Sequence, residues 1–281
     1  MGEKIWDAHV HLFPEQLFKA IWRWFDDVGW RIPYAGWELD RYVAALRGMG
    51  VERAFLLTYA HKPDMSLELN RWVRDVCQRY DCFVPFACIH PRDNNLQRVI
   101  ATVLDDWGFA GFKLQLAVQQ YAADDPAWEP VYQAAAERQK PLIIHAGTAP
   151  YSQTDPLLGL DHLEKVMEKR PELKVVIPHL GFYEFDKALS LLARYPNIYL
   201  DTSWTLGAMQ NDLPGERLVN FMERYPHRFL YGSDFPIIEY QLESGLEALL
   251  GLGLTAGTLC RVVHDNARDL AAILGSRTVG S

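Results

Sequence analysis

Two histidines one residue apart open the chemistry of this chain. In Asp7-Ala8-His9-Val10-His11 an extended strand would project His9 and His11 to one side, with Asp7 one layer deeper on that side. Two imidazoles so placed can reach one ion. Three further polar residues stand where apolar runs stop: His145 after Pro141-Leu142-Ile143-Ile144, His179 after Val175-Val176-Ile177-Pro178, and Asp234 after Phe229-Leu230-Tyr231-Gly232-Ser233. One histidine at a strand end is ordinary, but the repetition argues for a shared purpose. Neutral imidazoles with a carboxylate suit Zn2+, the first expectation, and other divalent transition ions such as Mn2+.

Such a site needs a fold that brings distant strand ends together. Strand-length apolar runs recur at Ile5 to His11, Arg53 to Tyr59, Phe83 to His90, Gly111 to Leu116, Leu142 to His145, Val175 to His179, Ile198 to Asp201 and Phe229 to Asp234. Most are continuously apolar, as parallel strands buried on both faces require. Helical periodicity fills the intervals, at Leu39 to Met49, Leu67 to Tyr80, Leu96 to Trp107, Trp128 to Gln139, Leu160 to Lys169, Phe185 to Tyr195 and Leu218 to Tyr225. Eight such units average about 35 residues, the size of a βα repeat, and predict an α/β chain forming a (β/α)8 TIM barrel. A doubly wound sheet would place a Gly-rich turn after the first strand, where this sequence has His-Val-His-Leu-Phe-Pro. No linker or repeat divides residues 1–281, read as one domain in which helices over 255 to 274 close one end of the barrel. Strands 1, 5, 6 and 8 would then deliver all five polar residues to the carboxyl-terminal face.

The segment from Leu12 to Trp37 is too long for a simple βα connection and carries eight aromatic residues. Leu17, Ile21, Phe25 and Val28 fall near helical spacing, predicting a short amphipathic helix. It is read equally as a wall over a pocket or as packing against the barrel or a second subunit. A net charge of −8 argues against nucleic acid as a partner. No run of 18 apolar residues suggests a membrane span, and Asp7, His9 and His11 fall where a signal peptide needs its apolar stretch, so the expectation is a soluble cytoplasmic protein. The four cysteines form no CxxC pair and are read as free thiols.

Asp7-Ala8-His9-Val10-His11, Gly111-Phe112-Lys113-Leu114, Ile144-His145-Ala146-Gly147, Pro178-His179-Leu180-Gly181, Gly232-Ser233-Asp234-Phe235-Pro236 and Asp265-Asn266-Ala267-Arg268-Asp269-Leu270 follow one another as in a known group. Over nearly its whole length the chain resembles the amidohydrolase superfamily, specifically the amidohydrolase-related family that includes aminocarboxymuconate semialdehyde decarboxylase. The resemblance implies that His9, His11, His145 and Asp234 hold a single divalent metal ion. It also implies that His179 faces the substrate and bound water, or joins the ligands if the site is fuller. Asp234 and His179 are the implied catalytic residues, one accepting a proton, the other stabilising or protonating the reacting oxygen. Some relatives carry a carboxylated strand-4 lysine that bridges two metals. Lys113, followed at the same parity by Gln115, is read instead as unmodified and paired with a substrate carboxylate or with Asp7.

Arg92, Tyr59 and Trp204, with His61, His90 and Tyr151, follow strands and are candidates for contact with a small-molecule substrate; Asn266 is read as a helix cap. The expected activity is metal-dependent hydrolysis of an ester, lactone or amide of a small carboxylic compound. The alternative is non-oxidative decarboxylation of an unsaturated or aromatic acid with the same ligands. A homodimer is compatible with the aromatic segment.

Overall fold

The computed structural model describes residues 4–148, 152, 154–209 and 215–272. Its strands are β1 (Ile5–His11), β2 (Val51–Leu57), β3 (Phe83–Cys88), β4 (Gly111–Gln115), β5 (Leu142–His145), β6 (Val175–Ile177), β7 (Ile198–Asp201) and β8 (Phe229–Leu230). All pair in parallel with their sequence neighbours. The sheet closes through a parallel bridge between Val10 and Phe235 and through Asp234 N–H to His9 O, 2.9 Å. Eight apolar runs joined by helical crossovers have folded into the (β/α)8 TIM barrel that their spacing predicts.

The helices are α1 (Glu15–Asp27), α2 (Leu39–Gly48), α3 (Ser66–Arg79), α4 (Leu96–Ala101), α5 (Leu116–Gln119), α6 (Glu129–Glu137), α7 (Leu160–Lys169), α8 (Phe185–Arg194), α9 (Thr205–Ala208), α10 (Gly215–Arg224), α11 (Ser244–Gly251), α12 (Ala256–Cys260) and α13 (Asn266–Ala272). None is long and apolar enough to cross a membrane among the described residues.

α1 occupies the long segment after β1. It buries Phe18, Trp22 and Phe25 and starts with Glu15, whose charge suits the positive end of the helix dipole. Gly29 ends it at φ 79°, with Trp30 N–H to Phe25 O at 2.8 Å and Gly29 N–H to Asp26 O at 3.0 Å. This Schellman turn reverses the chain and carries Trp30 to within 5.7 Å of the Trp204 ring. The aromatic segment therefore packs on the barrel with one face and walls a cavity with the other.

The lower interior is apolar. Phe55, Phe86, Ile143, Val176 and Leu230 pack there with Ala267 and Leu270 of α13, so the terminal helices do close that end. Asn266 does not cap: its amide donates to Pro226 O and Phe229 O, both at 2.7 Å, tying α13 to the entrance of β8.

Five strands end before the residue expected, β2 at Leu57, β3 at Cys88, β4 at Gln115, β6 at Ile177 and β8 at Leu230, and the last two matter for the site. His179 and Asp234 therefore lie beyond the ladders, at φ 58° and 65°. Left-handed backbone in non-glycine residues is costly and concentrates at functional sites.

Candidate metal centre

Alternation along β1 does what the sequence requires: His9 and His11 point to the same side. The His9 Nδ1–H donates to Asp201 Oδ2 at 2.7 Å and the His11 Nδ1–H to Leu57 O at 2.9 Å. A carbonyl oxygen can only accept, which fixes the hydrogen on Nδ1 of His11 and leaves Nε2 with its lone pair. Burial, aided by the Lys113 ammonium, lowers both imidazoles, His11 to about 3, so both are neutral at pH 7.

The two Nε2 atoms lie 3.1 Å apart, and Asp234 Oδ1 stands 3.5 Å from that of His9 and 3.4 Å from that of His11. Two lone pairs and a carboxylate oxygen converging in this way repel one another unless a cation sits among them. His9, His11 and Asp234 offer ligand atoms all within 4.8 Å of each other, a donor set that fits a divalent transition ion. Gly232 permits the approach of β8 to β1, since a Cβ there would come within 2.9 Å of His9 Cβ and 3.1 Å of Ser203 Cβ.

His145 and His179 form a pair beside this trio. His179 Nδ1 lies 3.0 Å from Ser203 O, and its Nε2 is 3.2 Å from His145 Nδ1, which is also 3.2 Å from Gln115 Nε2. Burial lowers His179 to about 4 and His145 well below the usual imidazole value. All five predicted residues thus meet at one end of the barrel, with His145 turned toward His179 and Gln115.

Asp201 escaped the sequence reading, although it ends the apolar run Ile198-Tyr199-Leu200 much as His145 ends its own. It holds His9 with one oxygen; with the other it accepts from the backbone N–H of His179 at 3.0 Å, the N–H of Ser203 at 3.1 Å and the Ser203 hydroxyl. Burial would raise this carboxyl, but the contacts with His9, His179 and Ser203 outweigh it and hold the pKa well below the usual range. Metal-ligating histidines characteristically rely on such a partner.

Lys113 is fully buried, its Nζ 3.3 Å from His9 Nε2, and burial lowers it to about 8. The expected pairing with Asp7 is not made. Asp7 instead accepts from the N–H groups of His9 (3.0 Å) and Ser233 (2.9 Å), and burial pushes it up to about 7.

Above the centre opens a cavity of about 560 Å³, lined on its floor by His11, His145, His179 and Asp234. α1 contributes Leu17, Ala20, Ile21, Trp24 and Phe25, and Ile237, Ala117 and Val118 extend the apolar wall. Tyr59 and His61 line it, with Tyr59 packed edge-on to His11 at 5.7 Å. Arg92 is exposed, stacked over Tyr121 at 5.6 Å, and Trp204 donates to Glu239 between the rings of Trp30 and Phe182. Neither is among the described side chains that line the cavity. His90 is buried against Tyr121; Tyr151 lies outside the described residues.

A parallel barrel with imidazoles and carboxylates gathered at its carboxyl-terminal face is the architecture of a metal-dependent enzyme. Residues 6–270 match the family described as Amidohydrolase, and the chain belongs to it. Its fold is similar to that of an uncharacterised TIM-barrel protein of Bordetella bronchiseptica, with 21% identity, TM-score 0.77, and 97% of this chain and 99% of that one covered. It is similar also to 2,6-dihydroxybenzoate decarboxylase from Rhizobium, with 17% identity, TM-score 0.67, and 96% and 99% covered. A third likeness is to 5-carboxyvanillate decarboxylase of Novosphingobium aromaticivorans, complexed with manganese and 4-hydroxy-3-methoxy-5-nitrobenzoic acid, with 18% identity, TM-score 0.69, and 96% of each chain covered. No protein of curated function matches the chain.

Proposed function

We propose that this protein is a metal-dependent, non-oxidative decarboxylase of a small aromatic or unsaturated carboxylic acid. The observation that carries the reading is the cavity, one side of which is aliphatic and aromatic while its floor is the imidazole and carboxylate cluster. Such a space binds a flat apolar body and turns its one polar end downward. The resemblance in fold to two aromatic-acid decarboxylases, one holding manganese, supports it.

His9, His11 and Asp234 would hold the ion, with His145 as a fourth ligand by family resemblance. The ion would be zinc or manganese and would supply positive charge and Lewis acidity toward a substrate carboxylate. Trp24, Phe25 and Ile21 clamp the ring and exclude water from one face. The bond from ring carbon to carboxylate breaks, carbon dioxide leaves, and the electron pair left on carbon takes a proton held at the Asp234 carboxyl. His179, pinned through Nδ1 by Ser203, presents Nε2 to the same floor.

Hydrolysis, placed ahead by the sequence, keeps one observation in its favour: His61, Gln120, Ser152 and Asp155 line the cavity as well, a polar side by which water can enter. Metal analysis followed by assays on a panel of hydroxybenzoates, unsaturated acids, lactones and esters separates the two. We expect metal-dependent release of carbon dioxide from at least one acid. Acid release from a lactone or ester, with no carbon dioxide from any acid, would establish hydrolysis instead.

A further inference from the structure

The charges around the cavity are unevenly placed. Asp155 lines its wall, and no lysine or arginine does among the described residues. His61, also on the wall, is lowered by burial and by the Lys62 ammonium, so it brings no charge at pH 7. Asp155 follows β5, and in the closed ring β5 stands opposite β1, whose loop carries α1. This carboxylate therefore belongs to the side of the mouth opposite the apolar wall that α1 supplies.

Hydrogen bonds fix Asp155 in its loop and leave one oxygen over. Its N–H donates to Ser152 O at 3.1 Å, its backbone O accepts from Leu158 N–H at 3.1 Å, and its Oδ1 accepts from Leu157 N–H at 2.9 Å. Oδ2 has no partner among the described residues, and it is not one of the side-chain atoms shut away from the surface. Solvent reaches it. An apolar body that filled the cavity would strip water from this carboxylate, and a charge desolvated with nothing in exchange is costly. A donor on the ligand restores the lost contact, and a charged donor does so about twice as strongly as a neutral one.

We infer that Asp155 is a substrate-selecting residue, and that the substrate carries, remote from its carboxylate, an ammonium group that donates to Asp155 Oδ2. The inference rests on the reading above, in which the carboxylate turns to the floor. A divalent ion among His9, His11 and Asp234 makes the floor the positive pole of the cavity, and Asp155 makes the wall the negative one. An acid bearing an amine matches both poles. A diacid meets Asp155 with like charge.

The probes are the meta and para isomers of aminomethylbenzoate, with methylbenzoate as the counterpart without a donor, each titrated into metal-loaded protein by calorimetry. At one ring position or both, the aminomethyl acid should bind at least about tenfold tighter than the methyl acid, the scale of one hydrogen bond to a charged group. Asp155→Asn keeps the acceptor for Leu157 N–H and should remove most of that preference, while Asp155→Lys should favour isophthalate or terephthalate instead. Metal content should be unchanged in both variants. A preference that stays within twofold of the parent's in Asp155→Asn overturns the inference. Should the variants fail to fold, the parent decides alone: aminomethyl and methyl acids bound equally at both positions overturn it. So does hydroxymethylbenzoate bound more tightly than the aminomethyl acid, since the recognised donor is then a neutral hydroxyl. A protein that shows the preference yet releases no carbon dioxide from any acid loses the decarboxylase reading alone. One that decarboxylates without the preference loses this inference alone.

Discussion

The two ends of the barrel are built from the same strands and carry opposite chemistry. In the lower half Phe55, Phe86, Ile143, Val176 and Leu230 fill the interior with α13 beneath them. In the upper half His9, His11, Lys113, His179, Asp201 and Asp234 are buried too, every one polar. The boundary runs through β5, where Ile143 sits in the apolar layer and His145, two residues on, meets His179 beside the candidate metal centre. Burying a polar group costs free energy unless a partner meets it, whereas burying aliphatic carbon is favourable throughout. The lower half therefore supplies stability, and the upper half carries chemistry that the lower half must support.

Paired substitutions test that division most severely. His11→Ala removes one of the three converging ligand atoms and should lower turnover at least about 10³-fold, several kcal/mol of lost metal-centred stabilisation, with metal content falling in step. Ile143→Ala should do the reverse. It opens a hole in the packed layer and should cost about 2–5 kcal/mol in denaturant unfolding, while the folded protein keeps its metal. If the two variants lost metal and stability in equal measure, the ends of the barrel would be one cooperative unit and the division would be wrong.

Asp201→Asn sharpens the comparison within the upper half, because Asp201 contacts His9, His179 and Ser203 but does not belong to the converging trio. Asparagine keeps the shape and loses the charge that holds His9 with its hydrogen on Nδ1. Metal affinity measured against a competing chelator should fall about 10–100-fold with unfolding free energy little changed. An unaltered chelator profile would show that His9 needs no orienting partner.

Much of this was legible because two periods coincide. Continuously apolar runs set the strands, with β1, β5 and β7 found at the residues expected, and the spacing between runs set the barrel. The convergence of His9, His11 and Asp234 follows from that topology, since parallel strands deliver their carboxyl ends to one face. What did not follow was decided by backbone turns and by pairwise contacts. His179 and Asp234 leave their strands through left-handed conformations that no apolar pattern announces. Arg92 stacks on Tyr121, and Trp204 shares the Glu239 carboxylate with Trp30, partners 29, 35 and 209 residues apart or closer in the fold than in sequence. Asp201 was visible as a residue, but its importance lies in the hydrogen that His9 carries toward it, and that contact is set only when the strands stand side by side.

The smallest effect concerns a charge at the foot of β5. Lys140, just before the strand, is buried and donates to Phe109 O at 2.8 Å, and burial lowers its pKa from the ordinary 10.5 to about 8. Below pH 8 the ammonium is charged in both the folded and unfolded chains, so the folded state bears the full cost of burying it. Between pH 8 and 10.5 the folded chain releases this proton while the unfolded chain keeps it. The unfolded state then binds more protons, so stability rises with pH across this window. Lys140→Met lacks this titration. The melting temperature of the parent relative to the variant should therefore climb from pH 8 to 10.5 and level off above, while both proteins retain equal metal at pH 8. A difference that stayed flat across the window would mean that Lys140 reaches water in the folded state, and the lower half of the barrel would then hold no buried charge at this point.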